Sequence, residues 1–311
     1  MKTQATFKSL FFTTIFLIFV GVLSAQNPKT IRILAIGNSF SVDAVENYLY
    51  ELGAAEGINL IIGNAHIGGC SLERHRNNTI CDKADYEYTK IVNGKKNLRK
   101  GSTLEYCVSD EPWDYISVQQ VSQNSGKYET YYPFVSELLT YVKQKARNPD
   151  VVYMLHRTWA YAQNSTHGGF ANYNKDQLTM YKAIVNTTNK VKKTTKDIAF
   201  IIPSGTAIQN ARTSTIGDNF CRDGFHLDLV KGRYTAACTW FEKITGISVV
   251  GNKYYPEAMT AFEVEVAQNA AHLAVKKPNK VTSMKTMSPN MELTTSMNNS
   301  QIVFASLAWL W

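Results

Sequence analysis

Two short stretches of the 311-residue chain carry residue types that do chemistry together. The first is Gly37-Asn38-Ser39, which closes the largely apolar run Ile31-Arg32-Ile33-Leu34-Ala35-Ile36 and precedes a helical pattern from Val42 to Gly53. A serine at a strand end, on a helix N-terminus, exposes its hydroxyl and turns its backbone N–H toward a ligand. Such a serine nominates itself as a nucleophile, although serine also serves as a helix cap. The second stretch is Asp223-Gly224-Phe225-His226. Three residues on one turn place the carboxylate beside the imidazole. The aspartate then accepts from Nδ1 and leaves Nε2 to take a proton from a serine. Asp228 is a rival for the orienting role. Nucleophile, base and orienting acid are the parts needed for acyl transfer through a covalent intermediate.

These residues need a scaffold that gathers them, and the rest of the chain predicts one. Strand-like runs recur at 59–63, 113–119, 151–155 and 198–203, with helical patterns over 132–147, 175–193 and 230–245. Alternation of this kind predicts a mostly parallel sheet with helices on both faces. In such sheets ligands bind outside the carboxyl ends of the strands. Ser39, Gly69, Gln119, His156 and Ser204 each follow a strand, so all are expected at one edge. Residues 73–101 are polar and weakly periodic and read as a surface insertion, helical near 72–76. Trp159 and His156, on the aromatic loop after the fourth strand, are candidate substrate-binding residues; the other reading of Trp159 is core packing. His66, His156 and His226 have no carboxylates at ligand spacing, so no metal or cofactor is expected. His75, His167 and His272 read as surface or packing residues.

The motifs together resemble the SGNH (GDSL-type) hydrolases. Gly37-Asn38-Ser39-Phe40-Ser41 is similar to their first block, Asn64-Ala65-His66-Ile67-Gly68-Gly69 to their second, and Asp223-Gly224-Phe225-His226 to their fifth. The wider pattern resembles an uncharacterised SGNH-like family of secreted Bacteroidetes proteins, over about Ile31 to Gly246. The resemblance implies a three-layer α/β/α sandwich of the flavodoxin-like kind around a five-stranded, mostly parallel sheet. It implies Ser39, His226 and Asp223 as the catalytic residues. It implies an oxyanion hole from the backbone N–H groups of Ser39 and Gly69 with one side-chain amide. Two departures stand out. The family's opening aspartate is Asn38 here, and its third-block asparagine motif is replaced by Gln119-Gln120-Val121-Ser122. That turn resembles one in SGNH carbohydrate esterases, which assigns the amide to Gln119, then Gln120, then Gln123.

Composition bounds the remaining questions. Residues 1–25 combine Lys2 and Lys8, an apolar stretch from Leu10 to Val22 and the small-residue ending Leu23-Ser24-Ala25. They read as a cleaved secretory signal rather than a membrane anchor, which needs roughly 20 apolar residues. A secreted or periplasmic location follows. The formal charge of +8 is spread along the chain, without the concentrated patch that nucleic acid requires. Five cysteines are too few for a disulfide scaffold; Cys81 and Cys107 are the pair that could join, and Cys238 reads as buried and free. One domain is expected over 26–278, with a tail of different character over 279–311. The expected activity is a secreted serine esterase that deacylates a carbohydrate or other small ester. The alternative is an SGNH-like glycan-binding module with weak or no turnover.

Overall fold

The computed structural model describes residues 29–287. Strand β1 (Thr30–Gly37) sits at the centre of the sheet, and its side chains show why. Ile31, Ile33 and Ala35 enter one buried cluster while Leu34 and Ile36 enter the other. A strand covered on both faces has no polar side to offer water, hence the nearly continuous apolar run.

β1 is followed by α1 (Ser39–Val45), α2 (Leu49–Ala55), β2 (Asn59–His66) and α3 (Leu72–Asn78). The helix expected over 42–53 is therefore two helices. The chain breaks at Tyr48, which adopts a left-handed conformation (φ 67°) and donates its hydroxyl to the Leu229 carbonyl. Next come β3 (Tyr86–Val92), β4 (Lys95–Ser102), α4 (Leu104–Ser109), β5 (Tyr115–Val118), α5 (Phe134–Lys145) and β6 (Val152–His156). The chain continues through α6 (Gln177–Thr194), β7 (Ile198–Ile202), α7 (Ser204–Ala211), α8 (Lys231–Thr245) and α9 (Ala261–Lys276).

The sheet has seven strands in the order β4-β3-β2-β1-β5-β6-β7. The five expected strands are mutually parallel, and β3 and β4 extend them as an antiparallel hairpin on β2. This corrects the reading of 73–101 as an insertion without strands. The hairpin turns on Asn93-Gly94, both at positive φ, the strongest short hairpin signal a sequence offers. Periodicity missed it because Lys95 to Gly101 lie on an exposed edge strand with no apolar face. Charged residues there also discourage strand addition by another chain.

Helices α1, α2, α7, α8 and α9 contribute to one core and α3, α4 and α5 to the other, which gives the expected three layers. Helix α7 occupies Ser204-Gly205-Thr206, a stretch that reads as a turn in sequence. Its residues are buried throughout. Residues 279–287 are continuous with the body: Asn279 accepts from the buried Arg157, and Met284 is buried with its N–H on Thr213 Oγ1. The expected signal at 1–25 and the remainder of the expected tail lie outside the described residues. All five cysteines are free, so Cys81 and Cys107 do not pair; Cys81 is exposed and Cys107 is buried beneath the sheet. Among the described residues no helix is long and apolar enough to cross a membrane.

Candidate active site

Asn38 caps α1 with its own side chain, accepting from the Phe40 N–H at 3.0 Å. The neighbouring Ser39 is left half-buried at the carboxyl edge of β1. Gly37 permits this turn: a Cβ there would lie 2.8 Å from both Gln119 Cδ and Ser41 Oγ. Across the edge, the segment 221–228 folds back on itself through a Cys221–Leu227 bridge and a hydrogen bond from Arg222 N–H to the His226 carbonyl. Gly224 turns the tip at φ 85°, where a Cβ would meet Ser165 Cα at 2.9 Å.

This tip brings the three sequence-nominated residues together. Ser39 Oγ lies 2.9 Å from His226 Nε2, and His226 Nδ1 lies 2.6 Å from Asp223 Oδ2. Asp223 Oδ1 accepts from the backbone N–H groups of His226 and Phe225 at 2.7 and 3.1 Å. Burial works to raise the Asp223 pKa, but these hydrogen bonds outweigh it and hold the carboxyl below its usual range. The carboxylate is therefore charged where it faces Nδ1, which makes Nδ1 the donor and leaves Nε2 to accept from Ser39. Asp228, the rival, is spent elsewhere: its Oδ1 accepts from the N–H groups of Val230 and Lys231 at the start of α8.

Backbone donors frame the serine. The Asn38 amide donates to the Cys70 carbonyl at 3.0 Å, and Ile67 N–H donates to the Gly37 carbonyl. These bonds tie the loop that carries Gly69 to the turn that carries Ser39. Among the described residues, neither the Ser39 N–H nor the Gly69 N–H has a protein acceptor.

The two side-chain amides named for the oxyanion hole are both buried and hydrogen-bonded within the protein. Gln119 is buried and donates to Asn38 Oδ1 at 2.8 Å. Its Oε1 lies 2.8 Å from His156 Nδ1. Gln120 is also buried, accepting from the Leu72 and Val121 N–H groups and donating to Thr130. Gln119 thus abuts the Gly37-Asn38-Ser39 turn, while Gln120 bonds the segments at Leu72 and Thr130. His156 and Trp159 are likewise buried and offer no surface for substrate. His156 Nε2 lies 3.0 Å from Ser204 Oγ, and burial pushes the imidazole pKa down to about 3. Trp159 stacks on Phe40 at 4.4 Å and donates to the Phe225 carbonyl at 2.7 Å. It thus ties the residue after Ser39 to the residue before His226.

Sequence reasoning missed Asp43, one helical turn beyond Ser39. Its carboxylate is 1% exposed and binds Arg222, Arg233 and the Leu227 N–H, clamping the histidine loop onto α1. The available signal was the Ser39/Asp43 spacing of four, which puts both on one helix face. Phe225 and His167 were also missed; the Phe225 ring packs on His226 and the His167 ring packs on Phe225. Among the described residues no three His, Cys, Asp or Glu side chains converge as a metal site.

Fold and site together define a three-layer α/β/α protein with a serine–histidine–aspartate constellation at the carboxyl edge of its sheet. The family model of the domain of unknown function DUF4886 matches residues 32–274, and the chain belongs to that family. It is similar to a crystal structure of a DUF4886 family protein from Bacteroides uniformis, with 51% identity and a TM-score of 0.82 over 84% of this chain and 100% of that one. It is more distantly similar to a candidate SGNH hydrolase from Slackia heliotrinireducens (16% identity, TM-score 0.46, 69% of this chain and 98% of that one). A comparable likeness is to a catalytic mutant of Axe2, an acetylxylan esterase from Geobacillus stearothermophilus (12%, TM-score 0.44, 71% and 97%). None of the curated proteins matches.

Proposed function

We propose that this protein is a serine hydrolase that cleaves carboxylic esters through an acyl-enzyme on Ser39. The observation that carries the reading is the Ser39–His226–Asp223 chain, with both hydrogen bonds formed at 2.9 and 2.6 Å. His226 Nε2 takes the proton of Ser39 as Oγ attacks the acyl carbon. The carbonyl oxygen gains charge and is met by the free N–H groups of Ser39 and Gly69. Such donors are worth roughly 3 kcal/mol of barrier each. Collapse of the adduct breaks the bond to the alcohol, which receives the proton from His226. Water then repeats the sequence in reverse, releasing the acid and restoring Ser39.

The finer reading is a secreted or periplasmic enzyme that removes small acyl groups from a glycan. It rests on the leader-like composition of residues 1–25 and on the segments bordering the triad. Gly68, Gly69, Asn164, Thr166 and Gly168 are exposed, and all are polar or glycine. A polar, open border suits a large hydroxylated alcohol with a small acyl group better than a long acyl chain.

One observation favours a second reading, a glycan-binding module with slow turnover: Gln119 and Gln120 both make buried structural hydrogen bonds. The deciding measurement is acetate release from p-nitrophenyl acetate and acetylated xylan, alongside labelling of Ser39 by a fluorophosphonate. Turnover and labelling that vanish in Ser39→Ala are expected. A wild type that neither labels nor releases acetate, yet binds xylan, would establish the binding module instead.

A further inference from the structure

We infer that Phe225 and His167 form the subsite for the alcohol half of the substrate, a sugar ring held on the Phe225 ring and hydrogen-bonded by the His167 Nε2–H. The inference rests on the hydrolase reading, which places the leaving oxygen beside His226 Nε2, the atom that must protonate it. Whatever carries that oxygen lies next to the groups flanking His226.

Phe225 is the nearest such group, with its ring 4.2 Å from the His226 ring and partly exposed. The His167 ring stands edge-on to it at 4.8 Å and leans on Tyr161, also at 4.8 Å. The state of His167 follows from its other nitrogen. Nδ1 is 3.0 Å from the Gly169 N–H, which can only donate, so Nδ1 carries no proton. The proton sits on Nε2, which has no partner among the described residues. Burial lowers the His167 pKa and the nearby His226 adds to the effect, so the donor is neutral. The segment is also held firmly. Gln123 packs under Gly169, and the Gln123 carbonyl accepts from Asn172 and Tyr173. A half-exposed aromatic face beside a neutral N–H donor suits a pyranose, which offers apolar C–H groups and hydroxyl acceptors. An uncharged donor gives no preference for an anion. Trp159, the aromatic that the sequence nominated, lies beneath the surface, and Phe225 takes the position it was expected to fill.

A structural role for His167 also exists, because Nδ1 caps the turn over 168–173. His167→Asn separates the two roles, since asparagine is a good cap but lacks the Nε2–H. The readout is the ratio of kcat/KM for O-acetyl-xylobiose to that for p-nitrophenyl acetate, which has no hydroxyls. His167→Asn and Phe225→Leu are each expected to lower that ratio about tenfold, the loss of one good contact. An unchanged ratio in both variants would overturn the subsite. Calorimetric binding of O-acetyl-xylobiose to Ser39→Ala, with and without His167→Asn, tests the same contact without turnover. Weaker binding supports the subsite, and equal binding overturns it. Failure of the hydrolase reading shows separately, as absence of Ser39-dependent p-nitrophenyl acetate cleavage.

Discussion

Two aspartates compete in sequence to orient His226, and hydrogen-bond geometry separates them. Asp223 reaches Nδ1 with one oxygen and two backbone N–H groups with the other, whereas Asp228 accepts from the Val230 and Lys231 N–H groups at the start of α8. Replacing Asp223 by asparagine leaves the loop nearly isosteric but removes the charge that stabilises the imidazolium. A kcat loss of about 10²–10⁴ is expected for Asp223→Asn, by comparison with serine hydrolase triads. Asp228→Asn retains the cap and should stay within about threefold, since asparagine and aspartate cap equally well. Steady-state kinetics on p-nitrophenyl acetate distinguish them, and equal losses would mean that the orienting role is misassigned.

At the level of elements, one directed hydrogen-bond chain links the carboxyl ends of the parallel strands. Ser204 donates to His156 Nε2, His156 Nδ1 to Gln119 Oε1, Gln119 to Asn38, and Asn38 to the Cys70 carbonyl. These residues end or follow β7, β6, β5, β1 and β2 in that order. The direction is forced at one end, because Asn38 Oδ1 already accepts from the Phe40 N–H. The chain therefore ties the turn that carries Ser39 to the loop that carries Gly69. His156→Phe keeps an aromatic ring and leaves Gln119 Oε1 and Ser204 Oγ unpaired, at about 1–3 kcal/mol for each buried group. The expected result is a lower denaturation midpoint together with a fall in kcat larger than any change in KM. A loss of stability with kcat unchanged would show that the chain supports the fold and not the site.

For the molecule as a whole, the buried histidines contribute to the response to acid. Burial pushes His75 and His156 down to about 3 each, against about 6.5 in an unfolded chain. Between those values the unfolded state binds protons that the folded state refuses. Stability is thus complete above pH ~6.5 and falls as the pH drops toward 3, by up to about 1.4 kcal/mol per pH unit for each histidine. Asp223, also lowered, adds a smaller loss further down, because its side chain is 41% exposed. Urea denaturation at pH 7, 6, 5 and 4 should show midpoints that decline steadily below pH 6.5. A flat profile from pH 7 to pH 5 would contradict the neutral buried state of both rings.

The serine–histidine–aspartate constellation and the parallel sheet were legible because each leaves a local mark. Apolar runs ending in polar turns mark strands, Gly37-Asn38-Ser39 marks a strand-to-helix turn, and Asp223-x-x-His226 lies within one turn. Sequence alone thus named the three residues that the structure joins by hydrogen bonds, and it placed all five parallel strands. Orientation was not legible, since it depends on packing between segments far apart in the chain. Gln119, His156 and Trp159 do lie at or after strand ends, yet they turn inward, where groups from distant segments satisfy their polar atoms. The edge strand β4 left no periodic trace because neither of its faces is buried. Asp43 read as an ordinary helix residue until the fold brought Arg222 and Arg233 to it across about 180 positions. Which residues exist at the edge is a property of sequence. Which of them face the substrate is decided only when the long-range hydrogen bonds close.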